Sequence, residues 1–368
     1  MEVIDGYQDP SQNWEGSDFV LDLNISRIAM YDDIIIPFNI TEPLYWSHSY
    51  KAVGFSFGLL VFLIGFIGNI GVIATLWKSP SLFVQNGASA TYRFIFCLAV
   101  ADLSVLLTSA LPHLIELFLI LNQWVYGRAG CSVLVFMQYL SEDVGGLALL
   151  CIAFERYRSI TKPDASTFTI KRTNITILSI WLVVITFCSP WLVLTKTVAE
   201  TYFGSDGHHV LVEECTFKLS AESFAGYYVT DTILFYLVPV VASATMYTMI
   251  GLKVTQGRVA IDRQKEDYRK QASVFVMLTM ATLLFGLLMM PYRCLILYNL
   301  LMPSKFYNMW FFLFARQAVY TSSALKPLVY IACSYQFRKA FKNVVCCRNR
   351  QEDNLHLELQ ATAHATML

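Results

Sequence analysis

The chain has 368 residues, of which 56% are apolar and only 15% are charged, and its formal net charge is zero. A charged share well below the roughly 25% of a soluble domain excludes an ordinary water-soluble fold. The neutral balance also gives no reason to expect nucleic acid as a partner. The first residues, MEVIDGYQDP, contain neither a basic segment nor an apolar core, so we expect no cleaved signal peptide there.

Seven apolar stretches are each long enough to cross a bilayer. A hydrocarbon core about 30 Å thick takes roughly 20 apolar residues as a helix, and only helices or closed barrels satisfy the backbone in lipid. None of the stretches alternates as barrel strands do. The sequence therefore predicts an all-α, seven-transmembrane helix bundle. The stretches cover residues 51–77, 92–120, 131–158, 174–195, 226–253, 271–300 and 307–333.

Lysine and arginine placement predicts the orientation of the bundle. With the N-terminus outside, 18 of the 27 basic residues fall in inner segments, which is the bias expected of inner loops. We therefore predict a multi-pass plasma-membrane protein whose N-terminus is extracellular. Its parts are an extracellular tail (1–50), the seven-helix domain (51–333), an amphipathic juxtamembrane helix (334–347) and a cytoplasmic tail (348–368).

The two tails contain candidate modification sites. Asn24-Ile-Ser and Asn39-Ile-Thr match the acceptor pattern for glycosylation on an exposed outer segment. Cys346 and Cys347 follow the amphipathic stretch QFRKAFKNVVCC at the inner membrane surface, where cysteines are candidates for palmitoylation and contact with membrane lipid. The alternative for this second pair is a pair of ordinary cytosolic thiols.

Nine cysteines leave one pair on the oxidising side of the membrane. Five lie inside predicted helices, where cysteine most often packs as a small apolar residue. Cys131 stands at the outer start of helix three, and Cys215 stands in the second outer loop. Because disulfides form in oxidising compartments, we expect these two cysteines to be bonded and to tie the loop over the bundle mouth.

Landmark residues occur in order along all seven predicted helices. They are Gly68-Asn69, LAVADL with Asp102, Glu155-Arg156-Tyr157 with Arg156 25 residues after Cys131, Trp181, Pro239 and Tyr247, Phe285 and Pro291, and Pro327 and Tyr330. This ordered set resembles the rhodopsin-like (class A) G protein-coupled receptors over about residues 50–347. The resemblance implies a receptor that signals through a heterotrimeric G protein.

Several segments are more specifically similar to the thyrotropin-releasing hormone receptors, among them QWVYGRAGC, DTILFYLVP, MPYR and WFFLFARQAVY. The resemblance implies a short amidated peptide as ligand and coupling through the Gq class, phospholipase C and calcium. The family's peptide-contacting positions fall here on Tyr139, Asp143, Tyr292 and Arg316, and Arg293 and Asp231 also match. The vertebrate receptors have asparagine where this chain has Asp143.

The chemistry of the same region supports a polar ligand. Ionisable residues inside a membrane indicate a functional site, and the outer halves of helices three, five, six and seven contain Glu142, Asp143, Asp231, Arg293 and Arg316. Arginine offers several donors in a fixed fork, which suits amide carbonyls and a capped C-terminus. The alternative is that Glu142 or Asp143 simply neutralises Arg293 in a ligand-free core.

The class A resemblance also implies an activation switch. Its residues would be Glu155, Arg156 and Tyr157 at the inner end of helix three, with Asp102, Tyr247, Phe285, Lys326 and Tyr330. Glu155 would hold Arg156 at rest, and opening would expose Arg156 to the G protein. Two positions depart from the family pattern. Met289 stands where the family usually has tryptophan, and Gln271 stands where an acidic partner for Arg156 would lie.

Lys326 is a third departure, because a lysine inside a membrane helix is costly. The family usually has asparagine or aspartate here, and that residue and the helix-two aspartate help to hold a sodium ion. We therefore hypothesise that Lys326 pairs with Asp102 and that its ammonium takes the place of the sodium. The alternative is that the lysine reaches inner water by snorkelling.

Other functions are less consistent with the residues. A receptor of the neuromedin U or ghrelin branch remains an alternative, whereas an opsin lacks its lysine, since Tyr320 stands there. Transporters usually show internal repeats, and none is visible. No catalytic motif occurs, so no enzyme activity, cofactor or metal site is predicted. The tail has few hydroxyls for arrestin binding, and its final Thr-Met-Leu fits a weak PDZ-domain ligand.

Overall fold

The computed structural model describes residues 48–78, 89–118, 124–161, 169–203, 209–217, 221–255, 265–304, 306 and 308–345. The candidate glycosylation sites Asn24 and Asn39 and the candidate palmitoylation sites Cys346 and Cys347 lie outside these residues, as do 1–47 of the N-terminal tail and the whole cytoplasmic tail.

Seven long helices occupy the seven predicted stretches. They are α1 (His48–Lys78), α2 (Ser89–Val105, Leu106–Ala110 and Leu111–Phe118), α3 (Gly127–Thr161), α4 (Ile170–Cys188), α5 (Ala221–Asp231, Thr232–Leu237 and Val238–Thr255), α6 (Lys265–Leu301) and α7 (Met309–Cys333). Within the described residues, six of them (α1 to α6) are long and apolar enough to span a membrane. The seventh, α7, has 25 residues and includes the buried cations Arg316 and Lys326.

Two of the helices contain a wider π-helical turn at the level of the outer half of the bundle. In α2 this turn is Leu106–Ala110, just before Pro112, and in α5 it is Thr232–Leu237, just before Pro239. Proline lacks the N–H that would continue the helical hydrogen bonds, and such bulges often occur at functional sites. Asp231 directly precedes the second bulge, so the local helix geometry helps to set where its carboxylate lies.

A β-hairpin lies between α4 and α5, and reasoning from the sequence did not predict it. Strands β1 (Thr195–Phe203) and β2 (His209–Phe217) pair antiparallel, with Thr195 opposite Phe217. The predicted disulfide is confirmed, because Cys131 at the start of α3 is bonded to Cys215 of β2. The backbone N–H of Trp124 also donates to the Glu213 carbonyl at 2.9 Å. The hairpin is therefore fastened across the end of the bundle.

A short amphipathic helix, α8 (Tyr335–Val345), follows α7 as predicted. Phe337 is fully buried against Tyr330, with the ring centroids 5.8 Å apart. Arg338 donates to the carbonyl oxygens of Ile331 and Ala332 at 3.0 and 3.1 Å. Because the last carbonyls of a helix have no partner within it, this arginine both ends α7 and fixes the start of α8.

Two adjacent glycines in the middle of α3 face different surroundings. A Cβ built at Gly146 would overlap the backbone carbonyl oxygen of Phe235, in the π turn of α5, whereas one built at Gly145 meets only Leu98 Cδ1, at 3.6 Å. Side chains can move away from such a contact more cheaply than backbone can. Gly146 therefore permits the close approach of α3 to α5 that brings the outer ends of these helices together.

We predict that Gly146→Ala lowers the stability of the protein and that Gly145→Ala does not. Overpacking a buried site costs about 1–3 kcal/mol, and both substitutions add the same helix propensity, so the second is a matched control. Surface expression and thermal unfolding of detergent-purified protein measure the effect. Equal stability of the two variants would show that α3 and α5 do not approach as closely as the structure indicates.

Candidate functional site

Arg293 of α6 is the centre of a buried charge cluster. Its Nη1 forms an ion pair with Asp231 of α5, and its Nη2 lies 3.4 Å from both Glu142 Oε2 and Asp143 Oδ1 of α3. All four side chains are almost completely inaccessible to solvent. One guanidinium therefore joins three helices, and its five donors in a rigid fork suit this arrangement.

Two tyrosine rings flank the same guanidinium. Arg293 Cζ lies 5.6 Å from the ring centroid of Tyr228 and 5.9 Å from that of Tyr139. Tyr139 in turn stacks on Trp191, with the centroids 4.7 Å apart. A cation over an aromatic face gains electrostatic attraction that increases when water is excluded. The predicted ligand residue Tyr139 thus has a packing role in this structure.

Asp143 lies at the most enclosed edge of the cluster. Its side chain is completely buried, and its Oδ2 is 3.4 Å from the Sγ of Cys188 in α4. Together with its contact to Arg293, this places Asp143 among protein groups, as the charge-neutralising alternative expects. The cluster contains three carboxylates around one guanidinium, so Arg293 alone cannot balance all of them.

A cavity lies beside the charge cluster, between the helices and the hairpin. The space between its lining residues is narrow and partly open to solvent, and it amounts to about 320 Å³ when the open solvent is counted. Arg316 of α7, Glu116 of α2 and Gln138 of α3 contribute polar walls, and Trp124 and Cys215 contribute to the lining on the hairpin side.

Tyr126 lies outside the helices, before the start of α3. Burial and then the nearby Glu116 raise the pKa of Tyr126 to about 12, so its hydroxyl stays neutral at physiological pH.

Arg316 is the one predicted ligand residue that lines this cavity. Its Nε donates to the hydroxyl of Tyr320 at 2.9 Å, and its Nη1 is buried without a hydrogen-bond partner in the described part of the chain. A buried donor left without a partner costs about 1–3 kcal/mol, or more when it is charged. Such a group is well suited to meet an acceptor from a ligand.

Other members of the predicted site are separated from the cavity. Tyr292 is buried and packs edge-on against Phe312 of α7, with 6.4 Å between centroids, and it does not line the cavity. Gln138 joins the two regions, because it lines the cavity and its Nε2 donates to Glu142 Oε1 at 3.2 Å. Gln138 therefore connects the cavity lining to the charge cluster through one hydrogen bond.

Sequence reasoning missed Glu116, Gln138 and Tyr228. Glu116 could have been found, since it is an acidic residue inside an apolar helix, which by itself indicates a functional site. Gln138 and Tyr228 carry no charge and give no such signal. Their importance comes from the meeting of α2, α3, α5 and α7, which the sequence does not reveal.

The middle of the bundle contains the pair formed by Lys326 and Asp102. Lys326 Nζ donates to Asp102 Oδ1 at 2.5 Å, and it lies 5.7 Å from the ring centroid of Phe285. Only 2% of the lysine side chain is exposed, so it does not reach water by snorkelling. Ser141 Oγ donates to its own helix at Met137 O, and Gly145 has no side chain. This set of groups does not fit a sodium ion, because an ammonium already meets the carboxylate.

At the inner end of α3, Arg156 is held by its neighbours. Arg156 Nε lies 2.7 Å from Glu155 Oε2 and also donates to Thr91 Oγ1 of α2 at 2.7 Å. Thr91 in turn donates to Glu155 Oε2 at 2.5 Å. The predicted resting contact between Glu155 and Arg156 is therefore present, and Thr91 is an additional member that the sequence did not indicate. Tyr247 and Tyr330 are both buried in the core.

The described residues form seven long helices, six of them apolar enough to span a membrane, and a hairpin fastened by a disulfide, which together are typical of a heptahelical membrane protein. Residues 68–330 match the model of the 7 transmembrane receptor (rhodopsin family), so the chain belongs to this family of G protein-coupled receptors. The chain is 28% identical over 329 residues to the thyrotropin-releasing hormone receptor of Homo sapiens, covering 82% of this chain and 80% of that protein. The family is a receptor family rather than an enzyme family, and this relative is a receptor.

Two further relatives are neuropeptide receptors. Neuropeptide FF receptor 2 of Rattus norvegicus is 26% identical over 350 residues, covering 90% of this chain and 79% of that protein. Galanin receptor 2b of Danio rerio is 28% identical over 299 residues, covering 78% of this chain and 73% of that protein. The chain therefore resembles receptors of this kind along most of its length.

We predict that Arg293→Ala reduces stability strongly, because it leaves three buried carboxylates without their cation. Breaking a buried ion pair costs about 3–5 kcal/mol. Arg293→Lys keeps the charge without the fork and should be intermediate. Cys294→Ser, at an exposed neighbouring position, is the control. Surface expression and thermal unfolding are the measurements, and wild-type values for Arg293→Ala would contradict the central role of this arginine.

Proposed function

We propose that this protein is a plasma-membrane receptor for a short, C-terminally amidated neuropeptide. Binding on the extracellular side activates a heterotrimeric G protein of the Gq class, with phospholipase C and calcium as the downstream response. The observation that carries the proposal is that Arg316, which lines the cavity beneath the hairpin, has a buried Nη1 without a hydrogen-bond partner among the described residues. The N-terminal tail lies outside, as the placement of lysine and arginine favours.

The cavity supports a small polar ligand. The polar groups that line it, rather than its size, support this part of the proposal. The walls combine the donor Arg316, the acceptor Glu116 and the aromatic ring of Trp124, a mixture that suits a peptide end with amide groups. The relatives are named for thyrotropin-releasing hormone, neuropeptide FF and galanin, and this also favours a peptide.

Activation passes through the charge cluster. A ligand that contacts Gln138 changes the hydrogen bond from Gln138 to Glu142. Glu142 in turn contacts Arg293 of α6, which is also paired with Asp231 of α5. A cluster with several acids has more than one way to hold a single guanidinium, so α6 can shift relative to α3 at modest energetic cost. The same helix α3 ends in Arg156, and its release from Glu155 and Thr91 would present it to the G protein.

The nearest competing function is a receptor for another neuropeptide of the neuromedin U or ghrelin branch. It uses the same fold and the same coupling, so only the ligand separates the two. Family membership argues against the transporter alternative. Arrestin and a PDZ-domain protein are further candidate partners at the cytoplasmic tail, which lies outside the described residues.

We expect a calcium-mobilisation screen of amidated neuropeptides to identify an agonist whose potency falls about 10- to 100-fold in Arg316→Ala. The loss corresponds to one charge-assisted hydrogen bond, about 1.5–3 kcal/mol. Arg316→Lys should recover part of the potency, because it restores the charge but not the fork. Matched surface expression is the control. An amidated agonist with the same potency on Arg316→Ala would refute the site.

The middle of the bundle has a separate role in the proposal. Lys326 serves as a tethered cation for Asp102 where related receptors use a sodium ion. The supporting observations are the 2.5 Å contact between Lys326 Nζ and Asp102 Oδ1, the burial of both side chains, and the absence of a side-chain oxygen at Gly145 that could bind sodium. Pairing relieves the cost of two charges that would each be expensive alone in lipid.

Agonist affinity should therefore be insensitive to sodium in the wild-type receptor and become sensitive in Lys326→Asn. The measurement is agonist competition binding in sodium chloride against potassium chloride of equal ionic strength. A several-fold weakening by sodium is expected in Lys326→Asn alone. The double variant Asp102→Asn/Lys326→Asn should lose it again. Marked sodium sensitivity of the wild-type receptor would contradict the tethered-cation role.

A further inference from the structure

Two buried groups of opposite charge face the same cavity from different helices. Arg316 comes from α7 and Glu116 from α2, and both line the space beneath the hairpin. Their residues are only 5% and 3% exposed. The charge cluster around Arg293 is a separate arrangement, joined to this cavity through Gln138. The cavity thus presents a donor and an acceptor that a single small group of a ligand could contact together.

The two groups complement a primary carboxamide. Such an amide has one oxygen that accepts and one NH₂ that donates, whereas a carboxylate can only accept. The Nη1 of Arg316, which has no hydrogen-bond partner among the described residues, can donate to the oxygen of either group. Only the amide nitrogen can donate to a Glu116 oxygen. A terminal carboxylate would instead place a second negative charge beside Glu116 in a water-poor site, where like charges repel strongly.

Glu116 retains capacity to accept from a ligand. His113 Nδ1 lies 3.7 Å from Glu116 Oε2, so the histidine is a close neighbour of the carboxylate. An ionised carboxylate has about four lone-pair directions, so it can accept a further hydrogen bond while keeping its neighbours. His113 is also 6.1 Å from the ring of Tyr320, the residue that holds Arg316 Nε. The donor and the acceptor are therefore positioned by one connected group of side chains.

We infer that Glu116 is a specificity-determining residue that distinguishes an amidated peptide C-terminus from a free carboxylate. Arg316 donates to the amide oxygen, and Glu116 accepts from the amide nitrogen. The inference rests on the proposed function, because it assigns a ligand group to the same cavity. The inference goes beyond the proposed function because it attributes the preference for the amide to Glu116 of α2. Glu116 would repel a ligand that ends in a carboxylate, and such repulsion is a common basis of specificity.

The test compares amidated peptides with their free-acid counterparts on the full-length receptor. The probes are thyrotropin-releasing hormone and every other amidated peptide that gives a calcium response, each paired with the same peptide ending in carboxylate. The wild-type receptor should prefer the amide by at least about 100-fold. In Glu116→Gln the ratio should fall to within about fivefold, mainly because the free acid gains potency. Glutamine keeps an oxygen that can accept from the amide but loses the negative charge, so the amide should lose some potency while the free acid gains it.

A gain of potency for the free acid separates this role from a structural one, since a damaged receptor weakens both peptides. Glu116→Asp keeps the negative charge and should keep the preference for the amide. Glu116→Ala is a second neutral variant if Glu116→Gln fails to reach the surface, and it should also narrow the ratio.

Different outcomes overturn different statements. A wild-type receptor that responds equally to amide and acid overturns the inference without any variant. If Glu116→Gln and Glu116→Ala reach the surface normally and still prefer the amide over the free acid as strongly as the wild type does, the inference is overturned as well. The proposed function as a peptide receptor is not affected by that result. No response to any amidated peptide overturns the proposed function and this inference with it.

Discussion

The ion pairs of Arg293 are the interaction on which the outer half of this receptor depends. Three helices each place at least one charged side chain in a region without water, and none of these charges is tolerable alone. Because the acids outnumber the guanidinium, the cluster holds the helices together without fixing one arrangement. That combination gives both the stability of the resting bundle and a route by which a ligand can change it.

The three buried polar regions lie at successive levels of the bundle, and two of them share α3. Helix α3 contributes Glu142 and Asp143 at the outer level and Glu155 with Arg156 at the inner end. The pair of Lys326 and Asp102 joins α7 to α2 between them. The proposed displacement of α6 against α3 would therefore act on a helix that carries buried ion pairs at two levels.

The sequence predicted correctly the features that depend on the composition of a single chain segment or on its side of the membrane. Hydropathy located the seven helices, and the side of the membrane identified Cys131 and Cys215 as the bonded pair. The hairpin was missed, although β1 and β2 contain β-branched and aromatic residues, because its stability comes from pairing and from the disulfide. Gln138 was missed for a related reason, since its role arises only where helices distant in sequence meet.

Lys326 shows how a costly residue can give information about mechanism. A lysine that merely tolerated its position would turn towards water, but this ammonium points to Asp102 and lies near the ring of Phe285. A mobile sodium ion can leave when a receptor changes shape, whereas a tethered ammonium must move with α7. On the tethered-cation proposal the activation core exchanges no ion, and the distance between α2 and α7 is part of the switch. Where a buried charged residue departs from the family pattern, as Lys326 does, the mechanism known for the family should not be assigned to this chain unchanged.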